Sequence, residues 1–375
     1  MPKEDVMKQH YIWQEKEWPC MRWQDAELSK LLTEVNVLRG QLFGRLSMFG
    51  FEEKNESLLS ALTQEIVHSA EIEGETLNHD SVRSSVARQL GLEYEGLPRT
   101  DHYVEGVVQV LMDATQNFNL PITSERLFGW HAALFPLGYS GTYKITVADW
   151  RQGEEPMQVV SGALGKQKVH YEAPVSEDVP KMMEKFLAWI NDDQNNVEPL
   201  IKAAVAHLWF VTIHPFYDGN GRLGRTISEA LLSRADKTSQ RYYSLSSVIL
   251  GSRKEYYAHL EKAQKGDLDV TPWVEWFLTA LKKALQNSLQ QTSNVLNKIH
   301  FWERNRHVTL NERQRKVLNM LLDGFDGKLN SSKWYKINHC SQDTANRDIN
   351  DLINKGILIK SKEGGRSTNY ELRVE

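Results

Sequence analysis

The chain has 375 residues and a mass of 43.2 kDa, which corresponds to about two or three domains of ordinary size. Hydrophobic residues make up 41% and charged residues 25%, the composition of a globular protein that can bury large cores without disulfides or metals. The formal net charge of −4 excludes a protein that is basic over its whole surface and binds nucleic acid by charge alone, although a local basic patch is still allowed.

The cysteines and the N-terminus indicate the compartment. Cys20 and Cys340 form neither a disulfide framework nor a zinc-type cluster, and they favour two free thiols in a reducing environment. The first residues contain no apolar stretch typical of a secretory signal, and no run of 18 apolar residues occurs. We therefore expect a cytoplasmic protein that makes no membrane contact.

Residues 1–50 read as an aromatic-rich helical extension. Of the 11 tryptophans in the chain, Trp13, Trp18 and Trp23 lie in this segment, where we expect them to supply packing area rather than a cofactor site. From Asp25 onward, leucines and valines recur at spacings of three and four, which predicts a helix. The same periodicity predicts three further helices, over residues 56–69, 101–113 and 123–134.

A segment rich in glycine and proline interrupts this helical pattern. Two short strand-like runs, Met157–Val160 and Lys168–Tyr171, flank Ser-Gly-Ala-Leu-Gly and predict a β-hairpin. Helices resume near Val179, Glu198, Gly221 and Arg253, and a long one is predicted over Thr271–Arg304. The fold class is therefore mainly α.

Residues 306–375 have a pattern of their own. Helices are predicted over Leu310–Leu322 and Ser331–Ile337, a third follows Ser341 as N-cap, and two strands close the chain. This order resembles a winged helix-turn-helix domain. Residues 308–375 carry a net charge of +3, but acidic residues accompany Arg347 in the third helix, so DNA binding is an open alternative and a protein-contact or structural role is favoured.

The most informative segment is the dodecapeptide His214-Pro-Phe-Tyr-Asp-Gly-Asn-Gly-Arg-Leu-Gly-Arg225. Pro215 disfavours continued helix at His214, so the imidazole is expected at a helix end. Gly219 and Gly221 allow a sharp turn directly before the next helix, which is a typical anion site. Asp218 can bind Mg²⁺, and Arg222 and Arg225 can clamp phosphate oxygens.

Other interpretations of this segment fit less well. No Gly-Lys-Ser/Thr follows, which excludes a Walker A loop. As a calcium-binding loop starting at Asp218, it has Arg222 at position 5 and Leu223 in place of the required glycine. His207 and His214 lack the zincin spacing. A purely structural loop is the remaining alternative.

The twelve residues match the HPFxDGNGRxxR signature of the Fic (filamentation induced by cAMP) family, and the chain thus resembles that family. The resemblance implies a Fic helical core over residues 51–305, with the hairpin near 157–171 as its flap. It also implies transfer of AMP from Mg-ATP to a Ser, Thr or Tyr hydroxyl of a target protein. By the same resemblance, His214 is the general base, Asp218 binds Mg²⁺, and the ATP phosphates contact Gly219, Asn220, Gly221, Arg222, Leu223, Gly224 and Arg225.

A second resemblance lies upstream, where residues 69–74 (Ser-Ala-Glu-Ile-Glu-Gly) match the inhibitory pattern Ser/Thr-x-x-x-Glu-Gly/Asn of the family. Ser69 and Glu73 are four residues apart and share one helix face, on an inhibitory helix expected near 56–74. The resemblance implies that Glu73 reaches Arg225 and takes the place of the ATP γ-phosphate. In some family members the same glutamate supports removal of AMP, and the sequence leaves that activity open.

Further expectations rest on the resemblance alone. Tyr257 lies in a segment similar to one near the adenine in relatives, although a tyrosine pair on a helix is also typical of core packing. Self-modification and a homodimer are expected in the same way. Two alternative functions stay open: a DNA-binding transcriptional regulator with a nucleotide-sensing Fic core, and a Fic transferase that uses another donor, such as UTP or a phosphocholine nucleotide.

Overall fold

Helices dominate the computed structural model of the chain, which confirms the mainly α fold class. The structure describes residues 10–92, 102–161, 168–322, 325, 327–361 and 368–373. The chain forms two compact units, residues 1–288 and residues 289–375. No helix in the described part of the chain is long and apolar enough to cross a membrane.

The helices of the first unit surround one buried helix pair. In chain order they are α1 (Asp25–Leu46), α2 (Phe51–Ile72), α3 (His79–Gln89), α4 (His102–Gln116), α5 (Ser124–Leu134), α6 (Val179–Asn191), α7 (Pro199–Ile213), α8 (Asn220–Asp236), α9 (Leu245–Gly251), α10 (Arg253–Gln264) and α11 (Thr271–Arg304). The last of these begins and ends at the predicted residues, and its C-terminal part continues into the second unit.

Helix α7 forms the centre of the first unit. Every residue from Leu200 to Ile213 is buried, as expected for a helix that is apolar on all sides. Pro199 occupies its first turn, and the Glu198 carboxylate accepts hydrogen bonds from the backbone N–H groups of Leu200 and Ile201, at 2.7 and 3.0 Å. Helix α8 packs along α7, so the turn between them is held between two rigid elements.

Within the described residues, the first unit contains two short antiparallel strand pairs. Strands β1 (Tyr139–Ser140) and β2 (Tyr143–Lys144) form a pair that sequence reasoning did not predict. Strands β3 (Gln158–Ser161) and β4 (Lys168–Glu172) confirm the predicted hairpin, with a register shift between Val159 and Val160. The loop predicted between them lies outside the described residues.

The N-terminal tryptophans make packing contacts. The Trp13 indole N–H donates to the carbonyl oxygen of Glu172 at the end of β4, at 2.9 Å. The Trp18 and Trp209 ring centroids lie 6.1 Å apart in an edge-on arrangement. The predicted packing role is therefore met by contacts to β4 and α7.

The second unit has its own core. Its elements after α11 are α12 (Glu312–Leu322), α13 (Ser331–Asn338), α14 (Gln342–Asn354) and the antiparallel strands β5 (Leu358–Lys360) and β6 (Tyr370–Leu372). Trp334, Val317 and Leu352 are fully buried at its centre. The predicted N-cap Ser341 accepts a hydrogen bond from the Thr344 N–H at 3.2 Å. The assignment as a winged-helix domain stays a prediction.

Candidate active site

The turn after α7 places the imidazole of His214. This residue has φ of 52° and ψ of 58°, the left-handed conformation, and it ends the helix. Its Nδ1 lies 3.2 Å from the carbonyl oxygen of Val211, so we assign the proton to Nδ1 and leave Nε2 as an acceptor. Burial lowers the pKa of His214 to about 4, assisted by the charge of Arg151, while the Val211 carbonyl, Glu73 and Asp218 act in the opposite direction.

The loop between the two helices is closed by one side chain. The Asn220 side chain accepts a hydrogen bond from the Phe216 N–H at 3.0 Å and donates to the Phe216 carbonyl oxygen at 2.8 Å. Asn220 is buried. Its amide therefore braces the loop, and its remaining contribution to an anion site would come from the backbone N–H.

Glycines line the start of α8 for two different reasons. Gly219 has φ of +81° directly before the helix, a conformation that favours glycine. A Cβ on Gly221 would lie 2.1 Å from Oε1 of Glu73, so the absence of a side chain lets that carboxylate approach the helix start. Gly224 instead faces α7, where a Cβ would lie 2.9 Å from Val211. Leu223 is fully buried, so neither it nor Gly224 brings a side chain to the site.

Asp218 is half-buried at the loop, and both of its carboxylate oxygens accept hydrogen bonds. Oδ1 accepts from the Gly219 N–H at 2.6 Å, and Oδ2 accepts from the Ser140 hydroxyl. His131 stacks on Phe216 with 4.2 Å between ring centroids and bonds the Asp218 carbonyl oxygen at 3.3 Å. The sequence carried no local signal for Ser140 or His131, because both reach the loop from distant segments.

The two residues of the predicted inhibitory motif both bind Arg225. Oε1 of Glu73 lies 2.8 Å from Nη2 of Arg225. Nε donates to the Ser69 hydroxyl and Nη2 to the Ser69 carbonyl oxygen, each at 2.9 Å. Burial lowers the pKa of Arg225, but the Glu73 carboxylate outweighs this effect, so the pKa of Arg225 rises. Nη1 of Arg225 is buried and has no acceptor among the described residues.

A second carboxylate binds the other arginine of the motif. Nη1 of Arg222 donates to Oε2 of Glu75 at 2.9 Å and to the Tyr103 hydroxyl oxygen at 3.0 Å. The Tyr103 hydroxyl in turn donates to Glu75, and the guanidinium carbon of Arg222 lies 4.9 Å from the ring centroid of Phe135. Burial, together with Glu75, raises the pKa of Tyr103. Sequence reasoning missed Glu75 and Tyr103.

Tyr257 also contacts Glu73. Its hydroxyl lies 3.4 Å from Oε2 of Glu73 and 3.3 Å from the carbonyl oxygen of Ile72. Its side chain is 37% exposed, whereas the neighbouring Tyr256 is buried. Core packing therefore describes Tyr256 but not Tyr257, which lies at the edge of the site.

A cavity of about 660 Å³ lies beside His214, Glu73 and Tyr257, and its volume is suited to a nucleotide-sized ligand. Its lining includes Glu73, His214 and Gly221, together with residues of the β3–β4 hairpin and of α10. His170 of β4 anchors the hairpin to α10, since its Nδ1 lies 2.8 Å from Oε2 of Glu261. The hairpin, the His214 imidazole and the Glu73 carboxylate thus face one space.

Comparison with known proteins supports the Fic family. Residues 121–232, which contain the dodecapeptide, match the Fic/DOC family, and residues 11–92 match the "Domain of unknown function (DUF4172)". The chain is 28% identical over 237 residues to the "Protein adenylyltransferase Fic" of Drosophila grimshawi, which covers 63% of this chain and 44% of that protein. It is 24% identical over 278 residues to the protein of the same name from Nematostella vectensis, which covers 70% of this chain and 57% of that protein. The chain thus spans about half the length of these relatives.

Solved structures share the fold. A Fic family protein from Desulfovibrio desulfuricans G20 matches with a TM-score of 0.52 and 21% identity, over 93% of this chain and 96% of that one. A Fic domain containing signaling protein from Bacteroides thetaiotaomicron VPI-5482 matches with a TM-score of 0.50 and 18% identity, over 68% of this chain and 97% of that one. The helical arrangement described above is therefore one that Fic proteins adopt.

Proposed function

We propose that this chain, whose residues 121–232 match the Fic/DOC family, is an autoinhibited protein adenylyltransferase. It transfers AMP from Mg-ATP to a hydroxyl of a target protein, and Glu73 restrains the reaction. The observation that carries the proposal is the ion pair between Arg225 and Glu73, whose side chain lines the same cavity as His214. The names of the curated relatives support the same reaction class.

His214 acts as the general base in this proposal. Its pKa of about 4 leaves the imidazole neutral at pH 7, and the Nδ1 contact to Val211 leaves Nε2 free to accept a proton. The acceptor hydroxyl gives its proton to Nε2, its oxygen forms a bond to the α-phosphorus of ATP, and the bond from that phosphorus to the pyrophosphate oxygen breaks. The protein contributes mainly by positioning and by stabilising charge.

The start of α8 binds the phosphates. Its first backbone N–H groups have no partner within the helix, and the helix dipole favours negative charge at this end. Arg222 and Arg225 add positive charge one turn apart on the same helix. The pyrophosphate leaving group would therefore develop its charge beside donors that are already in place.

Asp218 is the residue that would hold Mg²⁺. Mg²⁺ in nucleotide sites takes one or two protein carboxylates and completes its shell with phosphates and water. The donor set fits this pattern, because Asp218 is one half-buried carboxylate and no group of three His, Cys, Asp or Glu that could hold a metal alone occurs among the described residues. When bound, the ion would neutralise phosphate charge and orient the leaving group.

Glu73 inhibits by occupying Arg225. The guanidinium donates to Glu73 and twice to Ser69, and only Nη1 lacks an acceptor among the described residues. A γ-phosphate would have to compete with this carboxylate and would bring negative charge close to it. Productive binding of ATP therefore requires Glu73 to leave Arg225.

The β3–β4 hairpin is proposed to align the target. It is an isolated two-stranded sheet within the described residues, and strand β3 is mostly exposed, so the outer edge of β3 is the one suited to strand addition. Such docking would place an extended target segment beside the cavity that contains His214. Self-modification and dimer formation are part of this proposal only as expectations from the family resemblance.

The proposal is tested by following the phosphates of ATP separately. Protein carrying Glu73→Gly is incubated with Mg-ATP labelled on the α- or the γ-phosphorus, together with a cell extract as source of targets. AMP transfer leaves the α label on protein and releases the γ label as pyrophosphate. Retention of the γ label would indicate a kinase, and retention of neither label would contradict the proposed transfer. Parallel reactions with UTP and a phosphocholine nucleotide test the donor.

A further inference from the structure

The segment that leads to the hairpin runs along the His214 turn, and Arg151 lies at its centre. The Arg151 N–H donates to the carbonyl oxygen of Pro215 at 2.8 Å. The preceding Trp150 packs on Phe216, with 5.2 Å between the ring centroids. Arg151 itself is only 3% exposed. The segment therefore brings a buried guanidinium to the back of the turn that holds the proposed base.

The Arg151 side chain binds the last carbonyl groups of α7. Nε donates to the carbonyl oxygen of His214 at 2.8 Å, and Nη2 lies 3.4 Å from that of Ile213. Nη2 also donates to the carbonyl oxygen of Pro174, just after β4. The carbonyl groups of Ile213 and His214 lie at the end of α7 and have no partner within the helix, and the C-terminal end of a helix favours a positive charge. Arg151 thus joins the base of the hairpin to both sides of the His214 peptide.

Burial of the positively charged Arg151 side chain is energetically unfavourable, so a role beyond packing is expected for it. No described Asp or Glu forms an ion pair with Arg151, and burial lowers the pKa of its guanidinium. Neutral donors can cap helix carbonyls, as the buried Tyr171 hydroxyl does by donating to the Thr212 carbonyl oxygen at 2.5 Å. Capping alone therefore does not explain why an arginine stands here.

The conformation of His214 gives the first reason for an arginine at this position. A left-handed residue other than glycine is unfavourable by about 1–2 kcal/mol and persists only where its surroundings fix it. The peptide groups on both sides of His214 accept hydrogen bonds from the Arg151 side chain, and the carbonyl oxygen of Pro215 accepts one from the Arg151 backbone N–H. Loss of these bonds would let the turn relax and move the imidazole.

The positive charge of Arg151 gives the second reason, because it acts on the protonation of His214. The charged groups that act on His214 are Arg151, which favours the neutral imidazole, and Glu73 and Asp218, which favour the protonated one. Arg151 opposes this influence from the protein interior, where charges are poorly screened.

We propose that Arg151 is a positioning residue for His214: its guanidinium holds the left-handed turn in place, and its charge adds to the effect of burial in favouring the neutral, proton-accepting imidazole. This inference rests on the proposed function, in which His214 accepts the proton of the target hydroxyl. Arg151 contacts no substrate in this account and acts only through His214.

The test compares Arg151→Gln and Arg151→Lys in protein that also carries Glu73→Gly. Arg234→Gln is the matched control, because Arg234 also caps carbonyl oxygens, those of Phe118 at 2.6 Å and Leu120 at 2.7 Å, from the opposite end of α8. NMR of histidine-labelled protein, with His214→Ala for assignment, follows protonation of His214 without any enzymatic assay. AMP transfer is measured over pH in parallel.

We expect Arg151→Gln to raise the pH at which His214 protonates and to shift the acid limb of AMP transfer in the same direction. Its kcat should fall about 10–100-fold, while KM for ATP stays within about twofold. Arg151→Lys should keep the His214 titration, since the charge remains, and lose only part of kcat. Arg234→Gln should change neither the titration nor the acid limb.

An unchanged His214 titration in Arg151→Gln would overturn the inference, as would an equal loss of kcat in Arg234→Gln. If Arg151→Gln does not fold, the inference is tested with Arg151→Lys instead. An unchanged kcat in Arg151→Lys would then contradict a positioning role. Absence of AMP transfer in the parent protein would instead contradict the proposed function. The two failures are distinguishable because the NMR titration does not require AMP transfer.

Discussion

Nη2 of Arg225 lies 2.8 Å from Oε1 of Glu73, which ties the second arginine of the phosphate-binding helix to the residue that follows α2. Arg225 is 3% exposed on its side chain, whereas Glu73 is 29% exposed. The arginine is therefore fixed within the core, and the glutamate is the partner that can leave. In the proposed function, this asymmetry would let a nucleotide phosphate replace the carboxylate.

Ligand stabilisation gives a test of this exchange that does not depend on catalysis. Glu73→Gly should unfold at a lower temperature than wild type, because a buried guanidinium loses its counter-charge. Addition of Mg-ATP should then raise its melting temperature more than that of wild type, since binding no longer competes with Glu73. Differential scanning fluorimetry over a range of ATP concentrations measures both effects.

Glu71→Gln is the control for this experiment, because Glu71 lies on the same last turn of α2 and makes no ion pair with Arg225 in the structure. Its response to ATP should equal that of wild type. Equal stabilisation of wild type and Glu73→Gly by ATP would argue against the competition.

The pH dependence of AMP transfer should report the low pKa of His214. The neutral imidazole is the proton acceptor, and its pKa of about 4 means that it becomes protonated only as the pH falls through about 4. The acid limb of kcat/KM should therefore lie well below the usual histidine value of about 6.5. Initial rates between pH 4 and 8, with circular dichroism to verify folding, measure this limb. A limb near 6.5 would contradict the lowered pKa of His214.

Removal of the Asp218 carboxylate should abolish the response to Mg²⁺. Asp218→Asn keeps the shape of the side chain but loses the charge that attracts the ion, so AMP transfer should fall at least about 100-fold and become insensitive to chelator. Ser140→Ala removes only the hydroxyl that donates to Asp218 and should have a much smaller effect. Full Mg²⁺-dependent activity in Asp218→Asn would rule out this residue as the metal ligand.

Substitution by alanine should have opposite effects on stability at two helix glycines, Gly224 in the contact between α8 and α7 and Gly129 on the exposed side of α5. Gly224→Ala places a Cβ 2.9 Å from Val211 and should destabilise the protein by about 1–3 kcal/mol. A Cβ at Gly129, in the middle of α5, meets nothing within 4 Å, so Gly129→Ala should stabilise by about 0.5–1 kcal/mol. Urea unfolding of both variants measures these changes. A stability loss of similar size in both would contradict the packing argument.

Local sequence signals predicted the long helices well. Helix α11 has the predicted bounds, and Ser341 accepts the N-cap hydrogen bond expected of it. Helix α3 was missed because serines occupy much of its buried face, Ser84 and Ser85 among them, which hides the apolar period. Helix α2 begins earlier than predicted, since Phe51 at its start is exposed and carries no core signal.

The residues of the candidate site also fall into two groups, those that were predicted and those that were not. The dodecapeptide and the Ser69–Gly74 motif are each continuous in the sequence, and the family resemblance that they carry predicted the contact between Glu73 and Arg225. Glu75, Tyr103 and Arg151 reach the site from segments that are distant in sequence, and their roles depend on packing that no local pattern encodes. The same packing turned Leu223 and Gly224 of the motif toward the core.

The most direct test of the account is the rate of AMP incorporation from α-labelled Mg-ATP in four proteins: wild type, Glu71→Gln, Glu73→Gly and Glu73→Gly/His214→Ala. The account predicts a rate at least about tenfold above wild type in Glu73→Gly, since loss of about 1.4 kcal/mol of competition suffices for that factor. Glu71→Gln should match wild type, and the double variant should lose about 100-fold or more relative to Glu73→Gly. Equal rates in wild type and Glu73→Gly, or incorporation that survives His214→Ala, would contradict it.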